Sequence, residues 1–171
     1  MGNSGRLAAL ALRDLQFPVS HFPFTFSMFT PSRDEVRRYF CDVWRKYRER
    51  QALSGLEATA LEVISAHPEY HALLERPEDA LGREWSPEGG EMNPFLHLSL
   101  HLAIEEQLSI DQPRGVRARY DALFGKSASA HEAKHVLLEC LGETMWRAQR
   151  QNAPPDEGFY LECLARRTTE A

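Results

Sequence analysis

Histidine spacing is the feature of this chain that could do chemistry. Six of its seven histidines fall into pairs four residues apart: His67/His71, His97/His101 and His131/His135. Random placement of seven histidines in this length would give about 0.2 such pairs. Residues four apart on a helix are neighbours, with Cβ atoms about 5–6 Å apart, so both rings of a pair can reach one ion. The pairs therefore predict a metal site.

Carboxylates continue two of these pairs by a further four residues. His101 is followed in this spacing by Glu105, and His135 by Glu139. Imidazole and carboxylate ligands suit zinc, iron, nickel or manganese. We expect a divalent metal ion, zinc or iron, as the cofactor, with the carboxylates binding it directly or orienting its histidines. The predicted metal ligands are His97, His101, His131, His135, Glu105, Glu139, His67 and His71.

Two other functions account for the same histidines. A buried histidine can donate to a carbonyl or a carboxylate and bind nothing. The protein would then be a non-catalytic interaction or structural module. Alternatively, His131-Glu132-Ala-Lys-His135 matches the His-Glu-x-x-His pattern, in which two histidines bind zinc and the glutamate is a general base. However, Ser129 and Glu132 also form a capping-box pattern, which gives Glu132 a structural role. Whether the protein is an enzyme, and which residues would be catalytic, stays open.

The stretch from Asn93 to Gln107 reads as the central helix. Asn93 can cap the first turn, and Pro94 suits the first helical position. The rest is apolar on most faces, which is typical of a core helix. His97, His101 and Glu105 advance by only about 40° each, so they form one ridge. We expect His97 and His101 to be buried and to need partners.

Capping boxes and prolines divide the remaining chain into helices. Ser32/Glu35 and Ser54/Glu57 begin two of them, and Pro68 begins a short one. The basic side chains on the first of these helices, Arg37 among them, predict a solvated face. The expected helices are Arg33 to about Ala52, Ser54 to about Ala66, Pro68–Leu74, Val116–Phe124, His131 to about Gln151 and Gly158–Arg167. The class is all-α, a helical bundle of four or five main helices with a long loop at about 77–92.

Composition bounds the function classes further. The chain has 171 residues, 43% of them hydrophobic, and a formal net charge of −5, which gives no general argument for nucleic acid as a partner. No apolar run approaches the ~20 residues that cross a bilayer. The three widely spaced cysteines predict reduced thiols in a cytoplasm rather than a disulfide framework.

Residues 28–171 are expected to form a single helical domain. Residues 1–27 are expected to be a disordered extension or the product of an upstream start codon. Self-association and protein partners stay open.

Several short sequence motifs together resemble those of a known family. They are Met28-Phe-Thr-Pro-Ser, His67-Pro-Glu-Tyr-His71, Asn93-Pro-Phe-Leu-His97, Asp111-Gln-Pro-Arg-Gly115 and Leu138-Glu-Cys-Leu-Gly142-Glu. From Met28 to about Arg167 the chain resembles the proteobacterial domain-of-unknown-function family 1841. The resemblance implies a small cytoplasmic bacterial protein and supplies no activity or catalytic residue.

Overall fold

The computed structural model describes residues 32–83, 85 and 92–170. These residues form eight α-helices and one 3₁₀ turn, with no strand among them, which confirms the all-α class. The expectation for residues 1–27 lies outside the described residues. The helices are α1 Arg33–Arg48, α2 Gly55–Ser65, α3 His71–Leu74, α4 Pro77–Gly82, α5 Pro94–Ile110, α6 Val116–Phe124, α7 Ala130–Gln151 and α8 Glu157–Glu170, and the 3₁₀ turn is Pro68–Tyr70.

Capping boxes begin α1 and α2 where the sequence predicts them. The Glu35 carboxylate accepts the Ser32 N–H at 2.6 Å, and the Ser32 hydroxyl accepts the Glu35 N–H at 3.3 Å. Ser54 and Glu57 make the same pair of bonds before α2. The predicted end of α1 near residue 52 is wrong, because Arg50 takes a left-handed φ of 56° that no continuing helix adopts.

Helix α4 occupies the beginning of the segment predicted to be a loop at 77–92. Pro77 supplies the first helical position, and Glu78 and Asp79 lie in the first turn, where the helix dipole favours negative charge. Ala80 is fully buried. For residues 77–82 the loop prediction is therefore wrong. Pro77, which was interpreted as a loop signal, begins a short helix.

Arg37 departs from the solvated face predicted for α1. Only 3% of the residue is exposed. Its guanidinium donates to the Leu81 carbonyl at 2.9 Å and lies 5.0 Å from the centre of the Trp85 ring. A carbonyl near the end of α4 and an aromatic face thus replace water around this charge.

The described chain divides into two compact units, which we call the first unit (residues 32–102) and the second unit (residues 103–170). The division falls within α5, so one continuous helix belongs to both. The expected single domain stays a prediction. The core of the first unit comes from α1 to α4 and the first half of α5, and its largest buried apolar side chains include Phe40, Trp44, Ile64, Leu74, Phe95 and Leu98.

A disulfide holds α7 to α8 in the second unit. The sulfur atoms of Cys140 and Cys163 are 2.04 Å apart, and both residues are buried. The prediction of reduced thiols is wrong for this pair, because the packing of α8 on α7 brings together cysteines 23 residues apart. In the same unit, the buried Tyr160 hydroxyl donates to the Gln107 side chain at 2.9 Å. None of the helices in the described ranges has the length and apolar character needed to cross a bilayer.

The disulfide predicts a countable thiol content. Denatured, oxidised protein should show one reactive thiol, Cys41, and denatured, reduced protein should show three, measured with a chromogenic thiol reagent. Reduction should lower the free energy of unfolding by about 3 kcal/mol, since the bridge joins cysteines 23 residues apart and so closes a loop in the unfolded chain. A variant carrying both Cys140→Ala and Cys163→Ala should lose the sensitivity to reductant. Three reactive thiols in oxidised protein would contradict the bridge.

Candidate metal centre

Three imidazole rings meet inside the first unit. His67 precedes the 3₁₀ turn, and His97 and His101 lie one turn apart on α5. The ring centres are 4.8 Å apart for His67 and His97, 4.5 Å for His67 and His101, and 4.8 Å for His97 and His101. The three residues are 1%, 5% and 2% exposed, which confirms the predicted burial of the α5 pair. We call these three residues the histidine cluster.

The end of α2 positions His67. Pro68 disfavours a helical conformation at the preceding residue, and His67 accordingly has φ −125° and ψ 66°. Its N–H turns to the Ile64 carbonyl at 3.0 Å, instead of continuing the helix to Val63. The Val63 carbonyl is thus one of the acceptors that a helix end leaves without a backbone donor. The His67 ring satisfies it, with Nδ1 2.7 Å from the Val63 oxygen.

This bond fixes the tautomer of His67. A carbonyl oxygen only accepts, so the proton of the neutral ring must be on Nδ1. The Nε2 atom of His67 then carries a lone pair, and it lies 2.9 Å from Nε2 of His97. A lone pair on Nε2 of His97 would repel that of His67 at this distance, so either a proton carried by His97 or a metal ion lies between these nitrogens. A histidine that donates one ring N–H to a carbonyl and offers its other nitrogen is the usual arrangement of a metal ligand.

The spacing of the ring nitrogens also suits an ion. His67, His97 and His101 each offer a nitrogen within 4.8 Å of the others. Zinc–nitrogen bonds of about 2.0–2.1 Å in a tetrahedron hold ligand nitrogens about 3.3 Å apart. Small rotations of the rings would therefore bring the three nitrogens to bonding distance of one ion.

Tyr70 and Met92 border the histidine cluster, and no pattern in the sequence indicated that either would lie there. The Tyr70 ring lies parallel to that of His67 and edge-on to that of His97, with centres 5.7 Å away in both cases. Burial raises the pKa of the Tyr70 phenol to about 12, so it is neutral near pH 7. The Met92 sulfur lies 3.0 Å from Nδ1 of His97.

A cleft of about 930 Å³ opens in the first unit, and Tyr70 and Met92 both line it. Because these two residues also contact the histidine rings, the cleft is one side chain away from the histidine cluster. Its other described lining residues are Glu69, Ala72, Leu73, Arg76, Glu78, Asp79, Arg83, Trp85 and Pro94.

His71 does not join the histidine cluster with its predicted pair partner His67. Its Nε2 donates to the Ile64 carbonyl at 2.9 Å, and its ring stacks on Trp44 with centres 4.1 Å apart. The physical reason is the 3₁₀ turn between the two histidines, which breaks the four-residue neighbour relation of an α-helix. His71 instead satisfies a second carbonyl at the end of α2.

The other predicted ligands lie in the second unit. His131 and His135 occupy successive turns of α7, with ring centres 4.4 Å apart, as their spacing predicts. The Glu105 carboxylate forms an ion pair with the Lys134 ammonium group, with Oε1 and Nζ 2.5 Å apart. The Glu139 carboxylate accepts a hydrogen bond from Arg167 at 3.2 Å, and burial raises its pKa although Arg167 acts in the opposite direction.

Glu132 acts as a helix cap, which argues against a hydrolase that uses it as a base. Its carboxylate accepts the Ala128 N–H at 2.7 Å, and its own N–H donates to the Ser129 hydroxyl at 3.0 Å. The reciprocal bond of the predicted capping box thus goes to the residue before Ser129. The residue is exposed, and the carboxylate is bound to the backbone ahead of α7.

Comparison with known proteins relates the chain to a described family. The model of the family described as "Domain of unknown function (DUF1841)" matches residues 32–166, which include the first unit and most of the second. No curated protein and no solved structure shows significant similarity to the chain.

The two histidines at the end of α2 should have opposite tautomers in metal-free protein. His67 should carry its proton on Nδ1 and His71 on Nε2, because each donates to a backbone carbonyl through that nitrogen. Long-range proton–nitrogen NMR spectra above pH 7 distinguish protonated from unprotonated ring nitrogens. His71 serves as the internal control. An Nε2 proton on a neutral His67 would contradict the arrangement.

Proposed function

The chain belongs to the DUF1841 family, whose description assigns no activity, and we propose from the histidine cluster that the protein binds a divalent transition-metal ion. The supporting observation is the 2.9 Å approach of Nε2 of His67 to Nε2 of His97, with the His67 proton held on the far side of the ring by Val63. His67, His97 and His101 are the proposed ligands. Zinc and iron are the proposed ions, since both accept imidazole ligands.

Burial strengthens this proposal. Polar groups removed from water cost free energy unless they find partners. The three buried imidazoles each offer a nitrogen within 4.8 Å of the others, so one ion could bind all three at once. The neighbouring α5 residues Leu98 and Leu100 are fully buried as well, so this part of the helix is shielded from water that would compete for the ion.

The remaining predicted ligands stay predictions. His131 and His135 carry the spacing of a ligand pair, and Glu105 and Glu139 already have cationic partners. Comparing His135→Gln and His131→Gln with the unsubstituted protein measures what each imidazole contributes to metal affinity. The same comparison with Glu105→Gln and Glu139→Gln tests the carboxylates.

The contact between His67 and His97 is also compatible with an alternative, a histidine core that binds no metal. A proton between His67 and His97 would also satisfy both nitrogens, and the histidines would then only stabilise the fold of an interaction module. The two functions differ in metal content and in the response of stability to added ions.

Purified protein should contain close to one equivalent of zinc or iron when no metal-affinity column is used. Elemental analysis by mass spectrometry measures this content. Adding the ion to metal-free protein at 100 times its dissociation constant should raise the free energy of unfolding by about 2.7 kcal/mol, because only the folded state holds the rings together. Protein without transition metal and without a rise in melting temperature would support the metal-free core instead.

His97→Gln should lower metal affinity by roughly 100-fold or more, since it removes a proposed ligand while keeping a side chain of similar volume. His71→Gln is the matched control, because its ring bonds the Ile64 carbonyl and stacks on Trp44. Competition with a chromogenic chelator gives both affinities, and circular dichroism shows whether each variant is folded. Equal affinities in the two variants would contradict the assignment of His97 as a ligand.

A further inference from the structure

We propose that Met92 is a positioning residue of the metal site. Its thioether accepts the Nδ1–H of His97, and this bond holds the tautomer of His97 whose Nε2 atom can bind the ion. The inference rests on the proposed metal binding. It assigns to that site a residue outside the predicted ligands, on the side of the His97 ring that faces away from the ion.

The start of α5 places the Met92 sulfur against His97. The Asn93 side-chain oxygen accepts the N–H groups of Phe95 and Leu96 at 3.0 and 3.3 Å, so Asn93 caps α5. Met92 is therefore the residue before the cap, and His97 is the fourth residue of the helix. Side chains at these two positions often pack together where a helix begins. Here the contact joins a thioether to an imidazole, with Sδ of Met92 3.0 Å from Nδ1 of His97.

The two ring nitrogens of His97 face different acceptors. Nδ1 faces the Met92 sulfur, which is a weak acceptor, and Nε2 faces Nε2 of His67 at 2.9 Å. A neutral imidazole carries a single ring proton, so it donates through only one of these nitrogens at a time. An ion bound at Nε2 leaves the proton on Nδ1, where the thioether accepts it. Metal binding and the bond to Met92 thus require the same tautomer, and each favours the other.

The same arrangement is present at His67. A histidine ligand is oriented, and its basicity raised, when its second ring N–H donates to a fixed acceptor. For His67 this acceptor is the Val63 carbonyl, 2.7 Å from Nδ1, and for His97 it is the Met92 sulfur. Both rings then offer Nε2 to the ion. Since a thioether accepts more weakly than a carbonyl, we expect the effect of Met92 to be moderate.

Substitutions of Met92 test this role through the zinc affinity of the full-length chain, measured by competition with a chromogenic chelator. Met92→Leu keeps similar bulk and removes the acceptor, so it should lower zinc affinity by about tenfold. Met92→Gln supplies an amide oxygen at similar reach and should recover most of this loss. Met145→Leu is the matched control, because it makes the same chemical change at a buried residue of the second unit, which contains none of the three proposed ligands. Its zinc affinity should equal that of the unsubstituted protein.

Long-range proton–nitrogen NMR spectra of the zinc-bound, unsubstituted protein test the tautomer directly and do not depend on the folding of a variant. His97 should carry its proton on Nδ1 and bind zinc through Nε2. Zinc bound through Nδ1 of His97 would overturn the role of Met92 and leave the metal site in place. Equal zinc affinities of the Met92→Leu and unsubstituted proteins, both folded by circular dichroism, would do the same. Failure of the unsubstituted protein to bind zinc or iron would overturn the proposed function and this inference together.

Discussion

The hydrogen bond from His67 to the Val63 carbonyl is the constraint on which the candidate site depends. Ending α2 before Pro68 leaves a helix carbonyl without its backbone donor, and the imidazole supplies one. The same bond fixes the proton on one side of the ring and leaves a lone pair on the other. A helix terminus thus sets both the orientation and the chemistry of a buried side chain, and the packing of α5 brings Nε2 of His97 to within 2.9 Å of Nε2 of His67.

Helix α5 provides the opposite side of the site. It is long, apolar on most faces and buried, so two imidazoles one turn apart are held in a region with little water. A rigid element of this kind fixes ligand spacing more closely than a loop does. The cost of burying polar rings makes the cluster sensitive to whatever satisfies them, whether a proton or a metal ion.

Local signals predicted most of the helices, and most of the failures lie where distant parts of the chain decide. Capping residues such as Ser32 and Ser54 bind N–H groups within three residues, so sequence suffices to place them. The bridge between Cys140 and Cys163 and the burial of Arg37 depend on helices that pack from elsewhere in the chain. The separation of His71 from the histidine cluster depends on a 3₁₀ turn, which the four-residue spacing alone does not reveal.

The sequence by itself determined the all-α class, the core character of α5 and the unusual number of histidine pairs, because helical periodicity and capping are local properties. Only the tertiary structure decided that His67 joins His97 and His101 and that a cleft lies behind Tyr70 and Met92. The meeting of two helices about thirty residues apart is set by the packing of whole apolar faces, which no short pattern encodes.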